Sequence, residues 1–178
     1  MGMQTWRETL YASVADGPTL TAAAEALLVT DVTLPANYLY VGRVLKATLM
    51  GRASNAVTTP GTLQLRTRWG GLAGVLLHDS GAMTQNVLVQ TNKTWIAEFL
   101  FICRAVGTAG SILPTGWASR GNRAAAAFTD PTVDQIPQTA PAAVSVDTTI
   151  AKVLSITATP SLATASITCH NYVLEALN

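Results

Sequence analysis

The side chains of this chain alternate by twos, and that period decides most of what the chain can become. Successive residues of an extended strand point to opposite faces, so a two-residue rhythm sorts them into a dry side and a wet side. In GTLQLRTRWGG, Gly61 to Gly71, one set is Leu63, Leu65, Thr67 and Trp69 and the other is Gln64, Arg66 and Arg68. This is the pattern of an antiparallel strand with one buried face. RVLKATLMG, Arg43 to Gly51, repeats it, with Leu45, Ala47 and Leu49 opposed to Val44, Lys46, Thr48 and Met50. TWIAEFLFICRAVG is mainly apolar on both sets: Trp95, Ala97, Phe99, Phe101, Cys103 and Ala105 on one, with Ile96, Leu100, Ile102 and Val106 dominating the other. Such a run suits a central strand covered on both faces. A buried helix is the alternative, and it must bury Glu98 and Arg104.

The rest of the chain is punctuated in the same way. TWRETLYAS, Thr5 to Ser13, predicts a strand that ends at the turn ADGP. GVLLHDSG and TQNVLVQTN flank Gly81 and predict a hairpin, and Ile150 to Thr159 with Ala163 to Leu177 predict a terminal hairpin around Pro160 and Ser161. Leu20 to Leu28 reads as a short helix or as an irregular connection. From Gly107 to Ala142 the chain is rich in Gly, Pro, Ala, Ser and Thr. It predicts a long loop or arm, with a short strand near Ile112 and Trp117. No repeat recurs at the roughly 20 to 50 residues that mark solenoids. Together these readings predict an all-β fold: a single β-sandwich domain over residues 1–178 with a long irregular loop over about 107–142.

Composition narrows the function. Hydrophobic residues are 49% and charged residues 12%, against about 25% charged in ordinary domains. Mean hydropathy is +0.31, yet no apolar run approaches the roughly 18 to 20 residues of a spanning helix. The amino end carries Arg7, Glu8 and Asp16 with no apolar core of a secretory signal. The expectation is a chain kept inside a cell or assembled there, without a membrane partner, and partly covered by its own copies or by another protein. A net charge of +1 gives no field toward phosphate, so nucleic acid is not an expected partner. In GTLQLRTRWGG the aromatic side chain falls with the leucines and not with the arginines, whereas a single-strand binding face needs both together.

Chemistry is sparse. The sequence has two histidines and two cysteines and no nucleophile elbow, HExxH, CxxC or Walker motif. His78 and Asp79 are strand neighbours aimed at opposite faces, and read as a polar strand end meeting a turn. His170 reads as a hydrogen-bonded strand histidine. Cys103 and Cys169 read as free core thiols, with a disulfide as the alternative. The best carboxylate candidates for a paired acid and base are Asp130, Asp134 and Asp147, in or beside the long loop. The expectation is no catalytic residue, no metal, no cofactor and no enzyme. GWASRGNR places Trp117 near Arg120 and Arg123, a composition enriched at protein contacts. The alternative is a surface loop whose tryptophan folds back on the sheet.

TWRETLYASVADGPTL, then VTLPANYLYVGRVLKATLMGRASNAVTTPGTLQLRTRWGG, and finally VDTTIAKVLSITATPSLATASITCHNYVLEALN resemble virion structural proteins of tailed bacteriophages. The shared order is a W-x-E-T-L strand with DG, LPAN before G-R-x-L-K, a TPGTL turn, and a closing VDTT strand pair. The resemblance implies a jelly-roll-like antiparallel sandwich that decorates or cements the phage head after assembly in the host cytoplasm. Its implied partners are the major capsid protein and two further copies in a homotrimer. Contact candidates are Trp6, Arg7, Arg66, Arg68, Trp117, Arg120 and Arg123, whose arginine forks suit carboxylates on a shell. Some of these are expected to be ordinary solubilising charges. The alternative role is a jelly-roll module of a tail fibre or spike that binds carbohydrate or another receptor.

Overall fold

The structure is a computed structural model and describes residues 7–56, 61–85, 88–120, 132–137 and 140–177. Among the described residues thirteen strands follow one another: β1 (Arg7–Ala12), β2 (Ala26–Leu27), β3 (Val32–Leu34), β4 (Val44–Asn55), β5 (Thr62–Trp69), β6 (Val75–Asp79), β7 (Met83–Thr84), β8 (Gln90–Ala105), β9 (Gly110–Arg120), β10 (Thr132–Ile136), β11 (Val144–Val146), β12 (Lys152–Pro160) and β13 (Ser166–Leu177). Among the described residues no helix is long and apolar enough to cross a membrane.

Two antiparallel sheets result. The larger runs β1-β13-β4-β8-β9-β10, with β11 also on β9; the smaller runs β2-β12-β5-β6, with β3 on β12 and β7 on β5. The pairings are nested in sequence. β5 pairs β6 and β7, β4 pairs β8, β2 and β3 pair β12, and β1 pairs β13. The chain is one long hairpin wound over itself, which brings β12 beside β5 and β13 beside β4. That winding is the jelly roll, here extended at one edge by β9, β10 and β11.

The two-residue rhythm sets the core. Leu45, Ala47 and Leu49 of β4 and Trp95, Ala97, Phe99 and Phe101 of β8 are buried, as are Leu63, Leu65 and Trp69 of β5 and Leu154, Ile156 and Ala158 of β12. Trp69 sits with the leucines, as its place in the alternation requires. Cys103 and Cys169 are free and buried. Beside Cys169 the ladder between β4 and β13 shifts register. Gly51 faces it there, so close that a Cβ would overlap the Thr168 carbonyl.

Four expectations need correction. β12 and β13 are not a hairpin: β12 ends in the smaller sheet and β13 begins in the larger, so Pro160 and Ser161 turn a corner between layers. β6 and β7 both pair β5 and not the strand that follows, which belongs to the other sheet. The expected loop over 107–142 instead contains the eleven-residue strand β9, which pairs β8 along its length. Pro114 is tolerated in β9 because β10 pairs Gly116 to Arg120 and β11 pairs Gly110 to Ile112. Among the described residues no strand lies on that edge beside Pro114 to need its missing N–H. Finally, β8 is buried on its inward face only. Ile96, Leu100 and Ile102 on the outward face are half-buried.

Candidate functional site

The smaller sheet's outward arginines are already matched by the chain's own carboxylates. Glu25, from the segment between β1 and β2, accepts from Arg68 Nε at 2.7 Å and Nη2 at 2.8 Å, from Arg66 Nη1 at 3.0 Å and from Thr157 Oγ1 at 2.6 Å. On the other side, Asp79 accepts from Arg66 Nε at 2.9 Å and from Gln64 at 2.5 Å. The Arg68 hydrogen bonds, with help from Thr157 and Arg66, hold the Glu25 carboxyl down at about 2 despite its burial. For Asp79, burial opposes ionisation, but the Gln64 and Arg66 hydrogen bonds prevail and its carboxyl lies below the usual range. Arg66 and Arg68 therefore clamp the β1–β2 connection onto the sheet, and a partner carboxylate must compete with Glu25.

The other candidates are dispersed. Trp117 projects from the outer face of the larger sheet, opposite Glu98 of β8, whereas Arg120 pairs with Trp95 on the inward set and donates to the Thr84 carbonyl at 3.1 Å. A strand separates residues three apart, so Trp117 and Arg120 do not form one patch. Arg7 is largely exposed and lies 3.4 Å from Glu175. Trp6, Arg123 and Asp130 lie outside the described residues, and of Asp134 only the backbone is described. The Asp147 carboxylate accepts from the N–H and hydroxyl of Thr149, an Asx-type turn.

His78 is not at a polar strand end. It is fully buried between the sheets, packed against the rings of Phe99 and Phe101 with centroids 5.0 Å away. Its Nε2 faces the Thr115 carbonyl at 2.8 Å and its Nδ1 lies 2.6 Å from the Thr67 hydroxyl. Since a carbonyl only accepts, Nε2 carries the proton and Nδ1 accepts from Thr67. Burial pushes this imidazole down to about 4. It is a neutral bolt between the sheets. His170 lies on the surface, with Nδ1 2.8 Å from Asp16. Among the described residues no three His, Cys, Asp or Glu side chains come together to hold a metal ion.

What the fold does gather is apolar surface at one end of the sandwich. Gly42 N–H donates to the Cys103 carbonyl, Asn37 N–H to Thr148, and Thr148 N–H to Gly107. Gly70 N–H donates to Val153, and Trp69 Nε1 to the Asp147 carbonyl. These bonds tie the connections β3–β4, β5–β6, β8–β9 and β11–β12 into one cross-braced platform. It exposes Tyr40, Val41, Leu72, Val75, Val106 and Ile150, each 45% or more accessible. Arg43 stiffens its centre. Its guanidinium stacks 3.8 Å from the centroid of the Tyr38 ring and donates to Glu8 at 2.9 Å and to the Tyr38 hydroxyl at 2.6 Å. Desolvation and the Glu8 carboxylate push the Tyr38 phenol up to about 12.

The apolar surface continues onto the larger sheet, where Leu177, Val44, Ile102 and Leu113 form a row of cross-strand neighbours. Periodicity missed the platform because its exposed residues, apart from Val75 at the start of β6, lie in turns and connections. The signal was an apolar residue directly beside turn punctuation, as in Val41-Gly42, Gly71-Leu72 and Val106-Gly107. No protein-family model, no curated protein and no solved structure matches the chain.

Proposed function

We propose that the chain is a non-enzymatic virion structural protein, a decoration or cement protein that stabilises a phage head by bridging capsid subunits. The motif order that resembles tailed-phage virion proteins supports this reading. The observation that carries it is the braced apolar platform. Large side chains held rigidly in water are costly in a free monomer and useful at a contact. Burying the exposed half of each is worth about 1 kcal/mol, and pre-organised loops lose little further freedom on docking.

The partners in this proposal are the major capsid protein and two further copies of the chain in a homotrimer. Three platforms on one rotation axis then bind together and gain from effective concentration. A protein that binds only the assembled shell stabilises it by mass action. The test is copy number and position in purified particles, by quantitative mass spectrometry and imaging. Hundreds of copies on the head, with the platform against the shell, support the proposal. A few copies at the tail replace it with the tail-fibre or spike reading.

A further inference from the structure

The outward faces of the two sheets differ in kind. An antiparallel sheet with one wet side usually carries polar residues there. The smaller sheet follows that rule: Gln64, Arg66 and Arg68 point outward and are held by Glu25 and Asp79. The larger sheet departs from it. From Ile96 to Ile102 the outward set of β8 is Ile96, Glu98, Leu100 and Ile102, and its aliphatic members are only half-buried.

Cross-strand register orders this face into rows. Nearest the platform lies the row of Leu177, Val44, Ile102 and Leu113; farther along lies the row of Asn171, Met50, Ile96 and Ser119, in which Met50 is 44% accessible. Between them Leu100 stands beside Lys46, and Trp117 beside Glu98. One step beyond the Met50 row, Arg52 and Thr94 pair and are exposed. The face thus has an apolar centre that runs into the platform at one end and meets a polar rim at the other, as a protein contact does.

Its charges cancel within one copy. Lys46 Nζ lies 2.5 Å from Glu98, with their side chains 24% and 23% accessible, and Arg7 Nε lies 3.4 Å from Glu175. Covering a closed pair costs far less than covering a lone charge. The size also suits a contact. The five neighbouring strands from β1 to β9, at about 4.8 Å spacing and over about eight residues, give about 24 by 27 Å, or about 650 Å² in plan. Side-chain relief raises this toward the about 800 Å² that each partner buries in a stable complex.

We propose that this face is where copies of the chain meet, with their strands parallel to a shared rotation axis. Rotation about such an axis keeps every residue at its own height, so each apolar row meets its own counterpart in the next copy. It also turns every platform toward the same end. The number of copies, three, rests on the proposed role as a head protein; the choice of face does not. In a ring of three, the β13–β4 half of one face lies against the β8–β9 half of the next, which sets Met50 of one copy against Ile96 of its neighbour.

Sedimentation equilibrium of the intact protein, with no shell present, tests the face on its own. The natural chain is expected to be a trimer. Met50→Lys and Ile96→Lys, made separately, should each weaken association at least about a hundredfold, because a lone ammonium then enters a desolvated contact. Val14→Lys, at a fully exposed position outside the face, should leave the trimer intact. Met50 is exposed in one copy, so its variant keeps the fold, and urea unfolding of each variant verifies this. A monomeric natural chain, or an oligomer that survives both face substitutions, overturns the proposal. A dimer that the same substitutions dissociate supports the face and removes only the count of three. A trimer that docks on no shell overturns the head-protein reading and leaves the face standing.

Discussion

Between pH 7.5 and pH 5 the fold should lose stability through one buried group. In the folded chain His78 is held down to about 4, from an ordinary 6.5, by burial among Phe99, Phe101 and the two sheets. The unfolded chain therefore takes up a proton near pH 6.5 that the folded chain refuses until about pH 4. Stability rises with pH wherever the unfolded state binds more protons, so this contribution is complete above the unfolded value and lost as pH falls. At about 1.4 kcal/mol per unit, the full difference is about 3 kcal/mol, of which about 2 kcal/mol is gone by pH 5. Carboxylates such as Glu25, held down at about 2, lose their contribution only below their ordinary range, so the two windows separate.

The assay is urea unfolding at pH 7.5, 6 and 5 for the natural chain and for His78→Phe. The variant leaves the Thr67 hydroxyl and the Thr115 carbonyl unmatched and is less stable throughout, but that cost does not depend on pH. The difference between the two proteins should shrink by about 2 kcal/mol from pH 7.5 to pH 5 at constant slope with denaturant. A difference that stays constant would refute the buried neutral imidazole.

Other perturbations test the rest of the fold. Glu25→Gln should cost about 1 to 2 kcal/mol, discounted for a clamp that solvent partly screens. It should also flatten the loss of stability between pH 4.5 and about 2, which acid denaturation followed by circular dichroism would show. Gly51→Ala should cost more than about 2 kcal/mol, because the ladder at Thr168 cannot move aside without breaking the pairing of β4 and β13; thermal unfolding reads this directly.

Much of the fold was legible because alternation is a local property. The buried and outward sets of β4 and β5 follow from the order of their residues, and Trp69 went to the correct face on that ground alone. Strand partners are not local. The same alternation in β12 and β13 fits a hairpin or two layers equally well, and only winding of the whole chain puts Pro160 at a corner. β9 was obscured by Gly110, Pro114 and Gly116, which usually break strands but here lie along β8. Arg66 and Arg68 were correctly placed on the outward face, but Glu25 is distant in sequence, so their mutual neutralisation was invisible. His78 looked like a strand end because the carbonyl that holds it belongs to the opposite sheet. The platform depends on four connections converging, which no short window records.

The most direct measurement is binding to shells that lack the protein, comparing the natural chain with a Val41→Asp, Val106→Asp, Ile150→Asp variant. These side chains are exposed, so unfolding free energy should change by no more than about 0.5 kcal/mol per site. Occupancy should fall at least about a hundredfold, since charge replaces about 3 kcal/mol of apolar burial per copy. Equal occupancy by a variant that is equally well folded would show that adhesion does not run through this end of the sandwich.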